Sequence, residues 1–224
     1  RPAPPAPSQV YGDAEDDEHV KLARVLQTIL HFSPAEAAAV NVEDAPRDYD
    51  TWRLLAGAMS AGDLFDMREI NIAFVRPKKP TDRGQAYAQG AWMYQYLKQT
   101  FGEHAPLELM DRYADGAREE AAMPEVLGVS RAEFYEGFLE WAKDDLRAHG
   151  MLTEPSIESI LEEAGAEKLD TDQVGAFLER YPDHPDLLKA AATIAQRDAG
   201  GDVTEEVIDL YTRYAAVRPV DPEP

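Results

Sequence analysis

The sequence predicts an all-α protein, and three observations carry that prediction. Apolar residues recur at spacings of three and four along most of the chain, the period of one helix face. Ser-x-x-Glu capping patterns and isolated glycines punctuate those runs where helices should start and stop. The one short run of β-branched and aromatic residues, Ile72 to Val75, reads as an extended connector rather than a strand.

In chain order, residues 1–8 contain Pro2, Pro4, Pro5 and Pro7 and read as an extended proline-rich linker. An acidic run from Asp13 to Glu18 suits a first helical turn, where the helix dipole favours negative charge. Val20, Leu22, Ala23, Leu26, Ile29 and Leu30 follow as a helical face ending near Phe32. Ser33 to Glu36 form a capping box that opens a short helix over residues 34–40, and a loop runs from Asn41 to Asp48. Asp50 then caps a helix carrying Trp52, Leu54, Leu55, Ala58 and Met59, stopped at Gly62.

The first part of the chain is organised around the stretch from Gln85 to Gly102. Ala86, Gly90, Met93 and Leu97 form one stripe of a helix, small residues at Ala86, Gly90 and Ala91 admit a close neighbour, and Gly102 ends the run. Tyr87 lies one position off the stripe, where a phenol can reach a polar cleft. Basic loop residues Lys78 and Lys79, between Pro77 and Pro80, lie ahead of it. After it come a helix over residues 107–113, a short helix from Ala121 to Leu127, and a capping box at Ser130 and Glu133. That box starts a helix with Phe134, Phe138, Trp141 and Leu146 at helical spacing. Trp52, Trp92 and Trp141 read as core residues.

A boundary falls between Gly150 and Pro155, and the pattern beyond it is one of paired short helices: 155–164 with 170–181, and 186–198 with 204–217. The run from Tyr181 to Asp186 echoes the run from Arg218 to Glu223, 37 residues later, and Val174 and Phe177 meet Tyr211 and Tyr214 at the same offset. A fixed period of this size is the mark of a stacked helical repeat.

Composition narrows the functional classes. Forty-three acidic against 22 basic residues give a net charge of −21, which excludes the basic footprint that nucleic acid and anionic membrane surfaces require. No apolar run approaches the roughly 18 residues of a membrane span. The absence of cysteine removes disulfides, thiolate metal sites and a cysteine nucleophile. The five histidines, His19, His31, His104, His149 and His184, include no His-Glu-x-x-His pair, so no metal site is assigned to this chain. The acidic pairs Glu119–Glu120, Glu162–Glu163 and Glu205–Glu206 diverge by about 100° on a helix and read as solvated faces.

Two resemblances add to this. The run Tyr87-Ala88-Gln89-Gly90-Ala91, followed by aromatic residues, Tyr96-Leu97 and Phe101-Gly102, resembles the helix after the zinc site in gluzincin metallopeptidases. These include the aminopeptidase N-like enzymes and the peptidase MA-like proteins, and the similarity runs from about Trp52 to Leu146. Val126 to Ser130 with Phe134 and Trp141 is similar to that family's closing unit. The resemblance implies that residues 9–150 form a gluzincin-like helical subdomain, with Tyr87 as the catalytic candidate, donating to a developing oxyanion. Gln89 stands where the aminopeptidase run usually has lysine. Residues 151–224 resemble divergent tetratricopeptide repeats.

The function expected from both is a non-catalytic helical scaffold that binds a protein or peptide partner. The alternative is the C-terminal part of a zinc-dependent metallopeptidase whose His-Glu-x-x-His half lies upstream of Arg1, with zinc held there and none in this chain. A homodimer through the open end of the repeats is a third expectation. The cysteine-free composition and proline-rich leader fit an exported, periplasmic bacterial protein.

Overall fold

The computed structural model describes residues 47–223, the side chain of Asn71 excepted. The proline-rich linker, the helix from Val20 to Phe32, and the Ser33 capping box with its helix lie outside the described residues. Among the described residues there are ten helices and no strand, so the chain is all-α. They are α1 (Tyr49–Ala61), α2 (Glu69–Val75), α3 (Asp82–Phe101), α4 (Ala105–Ala114), α5 (Glu119–Leu127), α6 (Arg131–Ala148), α7 (Ile157–Ala164), α8 (Thr171–Arg180), α9 (Pro185–Asp198) and α10 (Glu205–Val217).

Helix ends follow local chemistry. The side chains of Asp48, Ser156, Asp170 and Thr204 accept hydrogen bonds from backbone amides of the first turns of α1, α7, α8 and α10. The expected Asp50 cap is thus corrected by two residues: Asp48 holds the Thr51 amide at 2.7 Å, and Asp50 sits in the first turn. The Ser130–Glu133 box forms reciprocally, with the Ser130 amide donating to Glu133 at 2.7 Å and the Glu133 amide to Ser130 Oγ at 3.3 Å. Gly62 and Gly128 end α1 and α5 in the left-handed conformation that a side chain would strain.

Ile72 to Val75 are helical, which corrects the expected extended connector. The side chain of Asp66 takes the amides of Arg68 and Glu69 at 2.7 and 2.8 Å and so opens α2. Ile70 and Ala73, three residues apart, are buried, and α2 packs on α3 through that face.

Contacts divide the chain into two units, one holding residues 63–142 and the other residues 47–62 together with the chain from Lys143. The division falls within α6, and α1 belongs to the second unit.

In the first unit α3 is central, with α2 and α4 packed on it and α5 packed on α4. Ala86, Gly90, Met93 and Leu97 are all buried, as the stripe requires. Trp92 is fully buried and meets Phe138 edge-on at 5.6 Å. Tyr96 packs among Phe101, Phe134, Phe138 and Trp141, with ring centroids 5.2–6.0 Å away. Gly137 lets α6 approach, since a Cβ there would lie 2.3 Å from the Tyr96 hydroxyl.

In the second unit α9 is central and packs on α8 and α10. Leu187 joins Ile160 and Phe177 in one cluster, while Leu188 and Ala192 join Leu210 and Tyr214 in another. Near the start of the unit, Trp52 is buried, stacked on His149 at 4.3 Å and covered by the Arg47 guanidinium, also at 4.3 Å.

Candidate functional site

Tyr87, the residue singled out by sequence, is half-buried on α3 with its ring edge-on to Phe74 at 4.8 Å. The same helix carries polar residues on its buried face. Gln89 is fully buried and clamps the loop before α2 in both directions. The Phe65 amide donates to its Oε1 at 2.9 Å, and its Nε2 donates to the Phe65 carbonyl at 2.6 Å. One turn earlier, Gln85 donates to the Asp63 carbonyl at 2.8 Å.

Asp82 accepts from the amides of Lys78 and Lys79 at 2.7 and 2.8 Å. Backbone donors of the basic loop therefore already hold a carboxylate of this chain. Gln89 therefore does structural work. Sequence reading missed this clamp; the usable signal was Asp82, Gln85 and Gln89 at spacings of three and four on the side of Ala86 and Met93.

Among the described residues no three His, Asp or Glu side chains converge as a metal site. No helix among them is long and apolar enough to cross a membrane.

The second unit presents a groove of about 560 Å³. Its walls are the segment from Arg147 to Glu154, the turn from Arg180 to Pro185, and Ala216 with Val217 at the end of α10. Its apolar lining residues are Ala148, Leu152, Pro182, Pro185, Ala216 and Val217. Its arginines are already paired: Arg147 with Glu154 at 2.7 Å and Arg180 with Glu163 at 2.6 Å. The groove is thus near neutral on a strongly acidic chain.

The two runs that echo each other in sequence take matching turns, the first of which lines the groove. Tyr181 and Arg218 end α8 and α10 with nearly the same backbone angles, φ −130° with ψ 71° and 68°. Their amides bond Phe177 and Tyr214, both at 2.8 Å. His184 and Asp221 then occupy equivalent places, each with its amide bonded back to the turn residue three before it.

The side chains at these places form a polar network. Arg218 is buried and donates through both terminal nitrogens to Asp186, at 2.7 and 3.1 Å, and through Nε to the Gly150 carbonyl at 2.8 Å. Burial opposes its charge, but the Asp186 carboxylate outweighs that and holds the guanidinium firmly protonated. Asp221 is buried and accepts from Lys189 at 2.7 Å, from the Glu223 amide at 3.0 Å and from the Tyr214 hydroxyl. Burial pushes its carboxyl upward, yet those donors together hold it below the usual carboxylate value.

His184 is 6 % exposed and its Nε2 bonds the Pro155 carbonyl at 3.1 Å. A carbonyl can only accept, so Nε2 carries the proton, and neutral His184 leaves Nδ1 as a bare acceptor. That atom is buried with no hydrogen-bond partner, 3.9 Å from the Asp186 carboxylate.

What this defines is an all-α chain whose second unit packs α9 against α8 and α10 beside a turn-lined groove. No known family model, curated protein or solved structure matches the chain.

Proposed function

We propose that the chain is a non-catalytic scaffold whose second unit binds a peptide segment of a partner protein in the groove between residues 147–154, 180–185 and 216–217. The observation that carries this reading is the groove itself, framed by the end of α6 and the segment after it, the turn after α8 and the end of α10, with apolar residues set among internally paired charges. Stacked repeats commonly use such concave, rigidly framed surfaces for partners. The mixture of apolar surface and internally paired charge suits a peptide chain better than a phosphate or a nucleic acid. The tetratricopeptide-like period and the gluzincin-like helix around Tyr87 are consistent with descent from a peptidase MA-like protein that keeps its helical framework.

The test is selection of short peptides from a displayed library on the immobilised protein, with affinities of the selected sequences read by fluorescence anisotropy. Thr153→Arg and Asp183→Lys change the walls of the groove without touching the Arg218 network. Selected peptides should lose about tenfold or more in affinity on either variant, roughly 1.4 kcal/mol. Equal affinity for wild type and both variants would refute the reading.

A further inference from the structure

We propose that His184 is an acid-sensitive latch whose protonation releases the turn at residues 181–186 from the segment at residues 150–155, reshaping the groove that both segments line. The proposal concerns regulation of the site proposed above, but its test reads the turn itself with no ligand present, so the two can fail separately.

The geometry supplies a closed form that neutral His184 fits and a charged one does not. The ring is 3 % exposed, and its one hydrogen bond reaches across to the Pro155 carbonyl. In the neutral state two acceptors, Nδ1 and the Asp186 carboxylate, face each other at 3.9 Å. A proton on Nδ1 would convert that contact to an attraction. However, Asp186 is already held through both oxygens by Arg218, so a second cation would enter a buried place where one guanidinium has the carboxylate.

The charged groups acting on the ring are therefore Asp186 from α9 and Arg218 from the end of α10. The other ionisable residues around the groove are Arg147, Glu154, Arg180 and Asp183. Two of them are tied to each other and Arg180 is tied to Glu163, while Asp183 is exposed. Burial dominates and holds His184 below the ordinary imidazole value, against the opposing pull of Asp186 and the Pro155 carbonyl.

Linkage sets the direction. With the ring turned out into water, His184 regains its ordinary affinity for a proton, so the open form binds the proton more tightly than the closed form. Opening is therefore favoured as pH falls through about 6.5. If the closed form takes no proton at all, one pH unit below that value raises the opening equilibrium about tenfold.

The experiment is NMR on the whole chain between pH 7.5 and 5.5, following the histidine Cε1 protons and hydrogen exchange at the amides of His184 and Leu188. The His184 amide bonds the Tyr181 carbonyl, and the Leu188 amide bonds the His184 carbonyl. The expected result is one histidine titrating below the ordinary value. Protection at the two amides, corrected for intrinsic exchange, should fall up to about tenfold by pH 5.5 in wild type. His184→Gln should show no such fall. Unchanged protection in wild type, the same fall in His184→Gln, or no histidine titrating below the ordinary value would each overturn the proposal. The wild-type titration decides the matter even if the variant fails to fold.

Discussion

Replacing Arg218 with methionine keeps most of the side-chain stem and removes the charge. The guanidinium makes three hydrogen bonds, two to Asp186 and one to the Gly150 carbonyl, and the residue is 8 % exposed. Removing one partner of a buried pair costs about 3–5 kcal/mol, chiefly because the other charge is left stranded. The Asp186 side chain is 31 % exposed, so water can reach it, and the lower end of that range applies, about 3 kcal/mol.

Two further variants separate the causes. Arg218→Lys should recover under half of the loss, because an ammonium cannot span both carboxylate oxygens and the Gly150 carbonyl together. Arg218→Met combined with Asp186→Leu should recover more, because no charge is then left unpaired. Urea unfolding followed by far-ultraviolet circular dichroism measures all three. A loss below about 1 kcal/mol for Arg218→Met, or a lysine variant as stable as wild type, would refute the account of Arg218 as the staple between α9, α10 and the Gly150 turn.

Gln89→Leu should destabilise the first unit by about 2 kcal/mol, since it orphans the amide and carbonyl of Phe65, a half-buried residue that water can partly reach. Faster hydrogen exchange at Phe65 should accompany it. Gly137→Ala should cost about 1–3 kcal/mol, because the Tyr96 hydroxyl that a Cβ would meet belongs to a ring wedged among four aromatic neighbours. Gly150→Ala should cost at least as much: its φ is +66° and a Cβ would lie 2.1 Å from the Val217 carbonyl oxygen. Thermal unfolding reads both. Asp221, with its folded value depressed, contributes stability that is fully present above the unfolded carboxylate value near 3.9 and is lost as pH falls through the folded value. Wild type should therefore lose stability more steeply than Asp221→Asn in urea titrations taken from pH 5 down to pH 2.5.

The parts of the fold legible in the sequence were those set by local chemistry. The capping box at Ser130 and Glu133 and the glycine stop at Gly62 each depend on residues within one turn of each other, and each stands where the pattern placed it. α2 was lost because Ile72 to Val75 has strand-like composition, whereas the deciding features are the Asp66 cap and the burial of Ile70 and Ala73. The Gln85–Gln89 clamp was hidden because polar residues at helical spacing normally face water. The 37-residue echo pointed to equivalent turns, but it could not reveal that Arg218 reaches back to Gly150 and Asp186. Those partners lie 68 and 32 residues away, beyond any local signal. For the same reason the attachment of α1 to the second unit rests on contacts such as Trp52 with His149.

The most direct test of the scaffold reading is a titration of the isotopically labelled chain with a selected peptide, mapping the amide shifts onto residues. The account predicts that the largest changes fall at Gly150 to Glu154, at Tyr181 to His184, and at Ala216 and Val217. Changes centred on α3 around Tyr87, with those segments silent, would contradict it.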